Sequence, residues 1–325
     1  MVKFPMQGFF CFKGFSKVLI CGGFIANGNQ GSTTHCEAIN LASPDTTCKS
    51  MPSLPAPIFQ AVGGLRFKEN PIICGGLQNT DDSNRCYSLE NNEWVSSVDL
   101  NSVRVYGAEA QLQDGHIFVT GGRNGSAYLN SAEMLTEEGW ESKIPSLPVS
   151  VSAHCMVTVN STTVMAIGGY QDGKDYSGKT FYYTFGEESW TAGPQLMNKR
   201  GYSSCVKIRR DKLSRQLSII VAGGYDGNSI LKSVEILAEG SNSWKAGPEL
   251  PIGMEESKIV EGSNGGVVLI GGKSISVTYL DTLYQLPHGG LDAVWTKMEQ
   301  KLNTGRYRHL ALLVPDSIVD CSYIL

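Results

Sequence analysis

The chain has 325 residues, 41% of them hydrophobic and 18% charged, with a formal net charge of −4. A net negative chain is not drawn to polyanions, which excludes nucleic acid or an anionic membrane as its main partner. No apolar run approaches the ~20 residues of a membrane-crossing helix, and 37 glycines, about 11% against a usual ~7%, point to tight turns or close backbone contacts.

In chain order, residues 1–16 contain aromatics but neither a continuous apolar stretch nor a small-residue cleavage site. They read as no secretory signal, which favours a cytoplasmic setting; an extracellular one stays open if the N-terminus is incomplete. Six strand-sized apolar runs then end in glycine doublets, at 17–23, 70–76, 116–122, 163–169, 217–224 and 266–272. The doublets are Gly22-Gly23, Gly75-Gly76, Gly121-Gly122, Gly168-Gly169, Gly223-Gly224 and Gly271-Gly272, 46 to 55 residues apart. Gly63-Gly64 has no such run before it and is set aside. After five doublets comes a tryptophan: Trp94, Trp140, Trp190, Trp244 and Trp295; the first repeat has Cys48 there. Between doublet and tryptophan lie a polar loop and a strand with an acidic residue, such as Glu133 or Glu235.

This unit, strand, Gly-Gly, polar loop, acidic strand, Trp strand and Pro turn, resembles the kelch repeat. The stretch VAGGYDGNSILKSVEILAEGSNSWKAGPELP fits the pattern most fully. The resemblance implies an all-β six-bladed β-propeller of four-stranded antiparallel blades, a single domain spanning 17–314. A four-stranded sheet cannot cover both of its own faces, and neighbouring blades do so, with the tryptophans as fillers.

Arginine opens the first strand of three repeats, at Arg104, Arg200 and Arg306. The last of these strands has no Gly-Gly strand after it, so the C-terminal strand is expected to join blade 1 and close the ring. The competing arrangement takes residues 6–14 as that strand; in the favoured one, residues 1–16 have no assigned structure and 315–325 form a tail. The fifth repeat carries a basic insertion with Arg209, Arg210, Lys212 and Arg215, which reads either as a docking hairpin or as a solvated loop.

Chemistry leaves little local signature. The histidines, His35, His116, His154, His288 and His309, form no metal-binding spacing, and there is no Gly-x-Ser-x-Gly elbow or phosphate-binding loop. No catalytic residue, metal or cofactor is expected. Nine cysteines, an odd count without metal spacing, fit reduced thiols or a secreted chain with one thiol over. Cys21 and Cys74 stand where other repeats have Thr120, Ile167, Ala222 and Ile270, and so read as small core fillers; Cys155 and Cys205 fall in first strands. A Cys36–Cys48 bridge and a meeting of Cys11 with Cys321 are both conceivable. The triplets Asn124-Gly125-Ser126 and Asn160-Ser161-Thr162 are N-glycosylation acceptors only outside the cytosol.

The resemblance implies a protein-interaction module, with a protein or peptide bound on the face of the b–c and d–a loops. Relatives use arginines and tyrosines there to grip acidic segments, which makes Arg104, Arg200, Arg306, Arg123, Tyr170, Tyr225, Tyr106 and Tyr202 the candidate contacts. The three strand-opening arginines equally fit a structural role, bonding loop carbonyls. The chain has no room for the BTB and BACK domains of ubiquitin-ligase adaptors. The alternative is a sugar-modifying or oxidase-type enzyme, since galactose oxidase resembles this architecture.

Overall fold

The computed structural model of the chain describes residues 14–25, 31–209, 217–262, 265–287 and 293–323. All regular structure among them is β. The chain folds as a β-propeller, built of antiparallel sheets whose strands run from the axis outwards. The second sheet is typical: Val62–Arg66, Asn70–Cys74, Cys86–Glu90 and Glu93–Ser96. Gly63 and Gly64 thus belong to an inner strand, where a Cβ on Gly63 would come within 2.4 Å of the Ile72 carbonyl. Four further four-stranded sheets begin at Ala108–Gln111, Cys155–Thr158, Ser204–Arg209 and Lys258–Glu261.

The first sheet is made from both ends of the chain. Leu310–Val314 pairs antiparallel with Lys17–Cys21, from Lys17 opposite Val314 to Cys21 opposite Leu310. Inner strands then touch in succession from Val62–Arg66 round to Leu310–Val314 and back, so the ring of six sheets among the described residues is closed. Residues 315–323 of the C-terminal tail pack back onto the first repeat. Cys321–Tyr323 pairs with Thr46–Cys48, and Asp316 accepts from the Ser16 amide at 2.8 Å. Residues 6–13 and most of the fifth-repeat insertion, Arg210, Lys212 and Arg215 included, lie outside the described residues.

The repeat positions have physical roles. In every repeat the amide of the second doublet glycine donates to a carbonyl of the following d–a segment: Ile58, Arg104, Val151, Arg200, Met254 and Arg306, at 2.7–2.9 Å. Taking Gly223 as the example, φ is +63° and a Cβ would sit 2.3 Å from the Met254 carbonyl, so no other residue fits. Each tryptophan is buried and donates its indole N–H to a carbonyl of the preceding repeat: Trp94 to Pro52, Trp140 to Val98, Trp190 to Pro145, Trp244 to Pro194 and Trp295 to Pro248, at 2.8–3.1 Å.

Of the two roles open to the three arginines the structure shows the structural one, while the cysteines differ from their expected role. Arg104, Arg200 and Arg306 are 0% exposed and cannot meet a partner. Arg200 shows why: its guanidinium donates to the Gly223 and Ser233 carbonyls at 2.8 and 2.9 Å and pairs with Glu235 at 2.7 Å. Arg104 with Glu133 and Arg306 with Glu37 repeat this at 2.7 and 2.6 Å. The pairs occupy alternate sheets. In the other three, the arginine position holds Ile58, Val151 or Met254, and the glutamate position, read from the strand register, holds Tyr87, Phe181 or Tyr284. The ion pair and the apolar pair are alternative fillings of one site.

Cys21 and Cys74 are not free-thiol fillers. They bond to Cys36 and Cys86, their direct neighbours across the strands. Cys155–Cys205 joins the inner strands of the fourth and fifth sheets. Cys48 bonds to Cys321 rather than to Cys36, because Cys36 faces Cys21; where other repeats have tryptophan, the first has this bridge. Cys11 lies outside the described residues.

Candidate functional site

Two residues beyond each arginine-or-apolar position, the chain turns inward at the axis. These residues are Gln60, Tyr106, Ala153, Tyr202, Glu256 and Arg308, all in the left-handed region with φ of 53 to 61°. Such a conformation costs a non-glycine residue of order 1 kcal/mol. What holds it is a closed ring of backbone bonds: the amide of each donates to the carbonyl of the one before, and Gln60 to Arg308, at 2.8–3.2 Å.

The ring opens on the face of the b–c loops, which start as short hairpins pinned to the d–a segments. Ile58–Phe59 pairs with Leu77–Gln78, Val151–Ser152 with Tyr170–Gln171, and Arg306–Tyr307 with Phe24–Ile25. Single bridges join Val105 to Arg123, Gly201 to Tyr225 and Glu255 to Lys273.

On this scaffold runs a continuous belt of half-buried aromatic rings. Tyr128 meets Tyr170 at 5.7 Å between centroids, Tyr170 meets Tyr176 at 5.1 Å, and Tyr176 meets both Tyr225 at 5.4 Å and Tyr202 at 6.2 Å. Tyr202 contacts Tyr106 at 5.6 Å. Arg308 lies over Tyr106, Tyr307 and Phe24, carrying the belt on to Phe59 and Tyr279. Arg123 covers Tyr106 from the other side, at 5.6 Å. Beyond the belt Ile275 is 94% exposed on the sixth b–c loop.

The cations here have carboxylate partners: Arg308 with Glu256 at 2.7 Å, Arg123 with Asp82 at 3.5 Å, Lys273 with Glu255 at 2.9 Å and Lys199 with Asp175 at 2.9 Å. Burial raises the Glu256 carboxyl above the ordinary carboxylate range, against the pull of Arg308. A small cavity of about 90 Å³ lies at the mouth, with Gln60, Tyr106, His154, Tyr202, Glu256 and Arg308 among its walls. Gln60 is 9% exposed, and neither end of its amide has a hydrogen-bond partner.

Of the residues picked from sequence, Arg123, Tyr106, Tyr170, Tyr202 and Tyr225 lie together on this belt, while Arg104, Arg200 and Arg306 lie beneath it. Arg308, Glu256, Gln60, Tyr128 and Tyr176 were missed. Among the described residues no group of three or more His, Cys, Asp or Glu is placed to hold a metal.

His154 makes the mouth acid-sensitive. Its ring is fully buried, with Nε2 2.8 Å from the Thr120 hydroxyl, and burial, helped by Arg104, lowers its pKa to about 3. The unfolded chain takes up this proton near pH 6.5, so the stability present above pH 6.5 is lost as pH falls towards 3. At about 1.4 kcal/mol per pH unit once the unfolded ring is fully protonated, His154 alone removes about 2 kcal/mol between pH 6.5 and 4.5. Urea midpoints at those two pH values check this; in His154→Gln the fall should shrink by about that amount, and an unchanged fall would refute the assignment.

A family model for the kelch motif matches residues 217–251, the three outer strands of the fifth sheet and the turn after them. The kelch repeat-containing protein kel-10 of Caenorhabditis elegans is 27% identical over 188 residues, 55% of this chain and 30% of that protein. The matched stretch thus spans less than a third of that relative.

Proposed function

We propose that the chain, which is similar to kelch-repeat proteins, is a protein-interaction module that binds a protein or peptide on the b–c loop face. The observation that carries this is the continuous aromatic belt around the axial mouth. Tyrosine and arginine held on rigid hairpins give large contact area at little entropic cost, the composition of binding hot spots. Tyr170 and Tyr225 are tethered through their hydroxyls to Gly173 and Gly227 of their own hairpins, at 3.1 and 3.0 Å, which fixes the rings before any partner arrives.

The charge pattern argues for contact area rather than net charge as the basis of selection. Because Arg123 and Arg308 already face Asp82 and Glu256, an acidic segment would have to displace a carboxylate. We read the partner as a segment presenting apolar and aromatic side chains, with Ile275 and the tyrosines as its first contacts.

Affinity capture with the full chain tests this. Tyr225→Ala combined with Ile275→Asp should weaken retention of a captured partner at least tenfold while leaving the melting temperature within a few degrees, because both positions lie outside the sheets. Undiminished retention, or turnover of a sugar by the purified chain, overturns the reading.

A further inference from the structure

Two features unrelated to the belt converge. First, all eight cysteines among the described residues are bonded in pairs, a pattern that persists in oxidising compartments and not against cytosolic reductants. Second, the two N-glycosylation triplets differ in environment. Asn124-Gly125-Ser126 forms the tip of the hairpin in which Asn124 faces Ala127. Residues 124–127 are all exposed, and a Cβ built on Gly125 meets nothing within 4 Å. The backbone is held from below, the Gly125 amide donating to Asp82 at 2.7 Å and Arg123 donating to the Gly125 carbonyl at 2.7 Å. In Asn160-Ser161-Thr162 the asparagine is 7% exposed, and its Oδ1 accepts from the Thr162 amide at 2.9 Å and the Thr162 hydroxyl at 3.2 Å. The acceptor side chain of this second triplet is thus buried, although Thr162 beside it is exposed.

We propose that Asn124 is an N-glycosylation site, filled as the chain matures in the oxidising compartment where its four disulfides form, and that Asn160 is not one. The expected cytoplasmic setting is thereby replaced. The amide nitrogen of Asn124 bonds to the anomeric carbon of an oligosaccharide carried on a lipid diphosphate. The anomeric C–O bond to the diphosphate breaks, the lipid diphosphate leaves with the bonding pair, and the amide gives up one proton. Each disulfide forms as two thiols pass two electrons and two protons to the disulfide of a thiol oxidoreductase, which leaves as a dithiol.

The test uses the full chain isolated from the cells that make it. Enzymatic release of N-glycans in heavy-oxygen water should convert Asn124 to heavy-labelled aspartate and leave Asn160 unchanged. Alkylation before reduction should leave the eight paired cysteines unlabelled. Unconverted Asn124, converted Asn160, or Cys74 and Cys86 alkylated without reduction overturns the proposal. As a second arm, the full chain is expressed behind a secretory leader in a eukaryotic host. There Asn124→Gln should lose one glycan's mass with an unchanged melt, and Asn160→Gln should keep it; a glycan retained by Asn124→Gln sinks the assignment. Loss of partner binding in either variant does not bear on the outcome.

Discussion

Arg200→Ala should destabilise the propeller by about 3–5 kcal/mol, the effect of stripping one partner from a buried ion pair. Without the guanidinium, Glu235 keeps a charge in a site 1% exposed, supported by the backbone amides of Met197 and Asn198 at 2.7 and 2.9 Å and the Asn198 side-chain amide at 3.3 Å. The Gly223 and Ser233 carbonyls lose donors as well. The double change Arg200→Met with Glu235→Tyr should behave differently, because it installs the Met254 and Tyr284 filling that the sixth sheet already uses. Apolar replacement of a whole buried pair is often neutral or better, so this variant should lie within ~1–2 kcal/mol of the parent. Denaturant midpoints of the three proteins decide the matter. If Arg200→Ala falls by less than ~1 kcal/mol, or the double variant falls as far as the single one, the two fillings are not interchangeable.

Removal of the Cys48–Cys321 bridge should be the most costly disulfide loss. In the chain-entropy description, stabilisation grows with the logarithm of the loop that a bridge closes. A separation of 273 residues gives about 5–6 kcal/mol, 50 residues for Cys155–Cys205 about 4, and 15 or 12 for the two cross-strand bridges about 3. Paired serine variants measured under oxidising conditions should follow that order. Hydrogen exchange in the first variant should rise first at 46–48 and 321–323, the strands that the bridge ties together. An inverted order would mean that strain or residual structure in the unfolded chain outweighs loop closure.

How much of this was legible in the sequence follows from what a linear pattern can carry. Doublets and tryptophans were readable because their roles depend on spacing and residue type alone: positive φ admits glycine, and the gap between sheets takes an indole. Closure was readable because Arg306 heads a strand with no Gly-Gly partner after it. Depth was not readable. Arg200 and Tyr202 differ by two residues, yet the first is buried under the loop carbonyls and the second reaches the mouth, because the turn at the ring re-aims the chain. Alignment of the repeats on that position would have placed Gln60, Glu256 and Arg308 beside Tyr106 and Tyr202. Cysteine pairing needs strand register, and at Cys21 and Cys74 the positions look like those of Ala222 or Ile270. Tyr128 and Tyr176 sit on loops whose lengths vary between repeats, and only folding brings them to Tyr170.

Closure of the first sheet by residues from opposite ends also sets the schedule of biosynthesis. Chains emerge N-terminus first at ~5–20 residues per second, so Lys17–Cys21 waits ~15–60 s before Leu310–Val314 exists to pair with it. Throughout that interval Val18, Leu19 and Ile20, each no more than 1% exposed in the finished ring, front an unpaired strand edge of the kind that recruits other chains. Translation therefore creates a demand for chaperone cover at Lys17–Cys21 that only Leu310–Val314 relieves, and a nascent chain arrested before residue 310 should be held by such factors while one extended through Val314 is released.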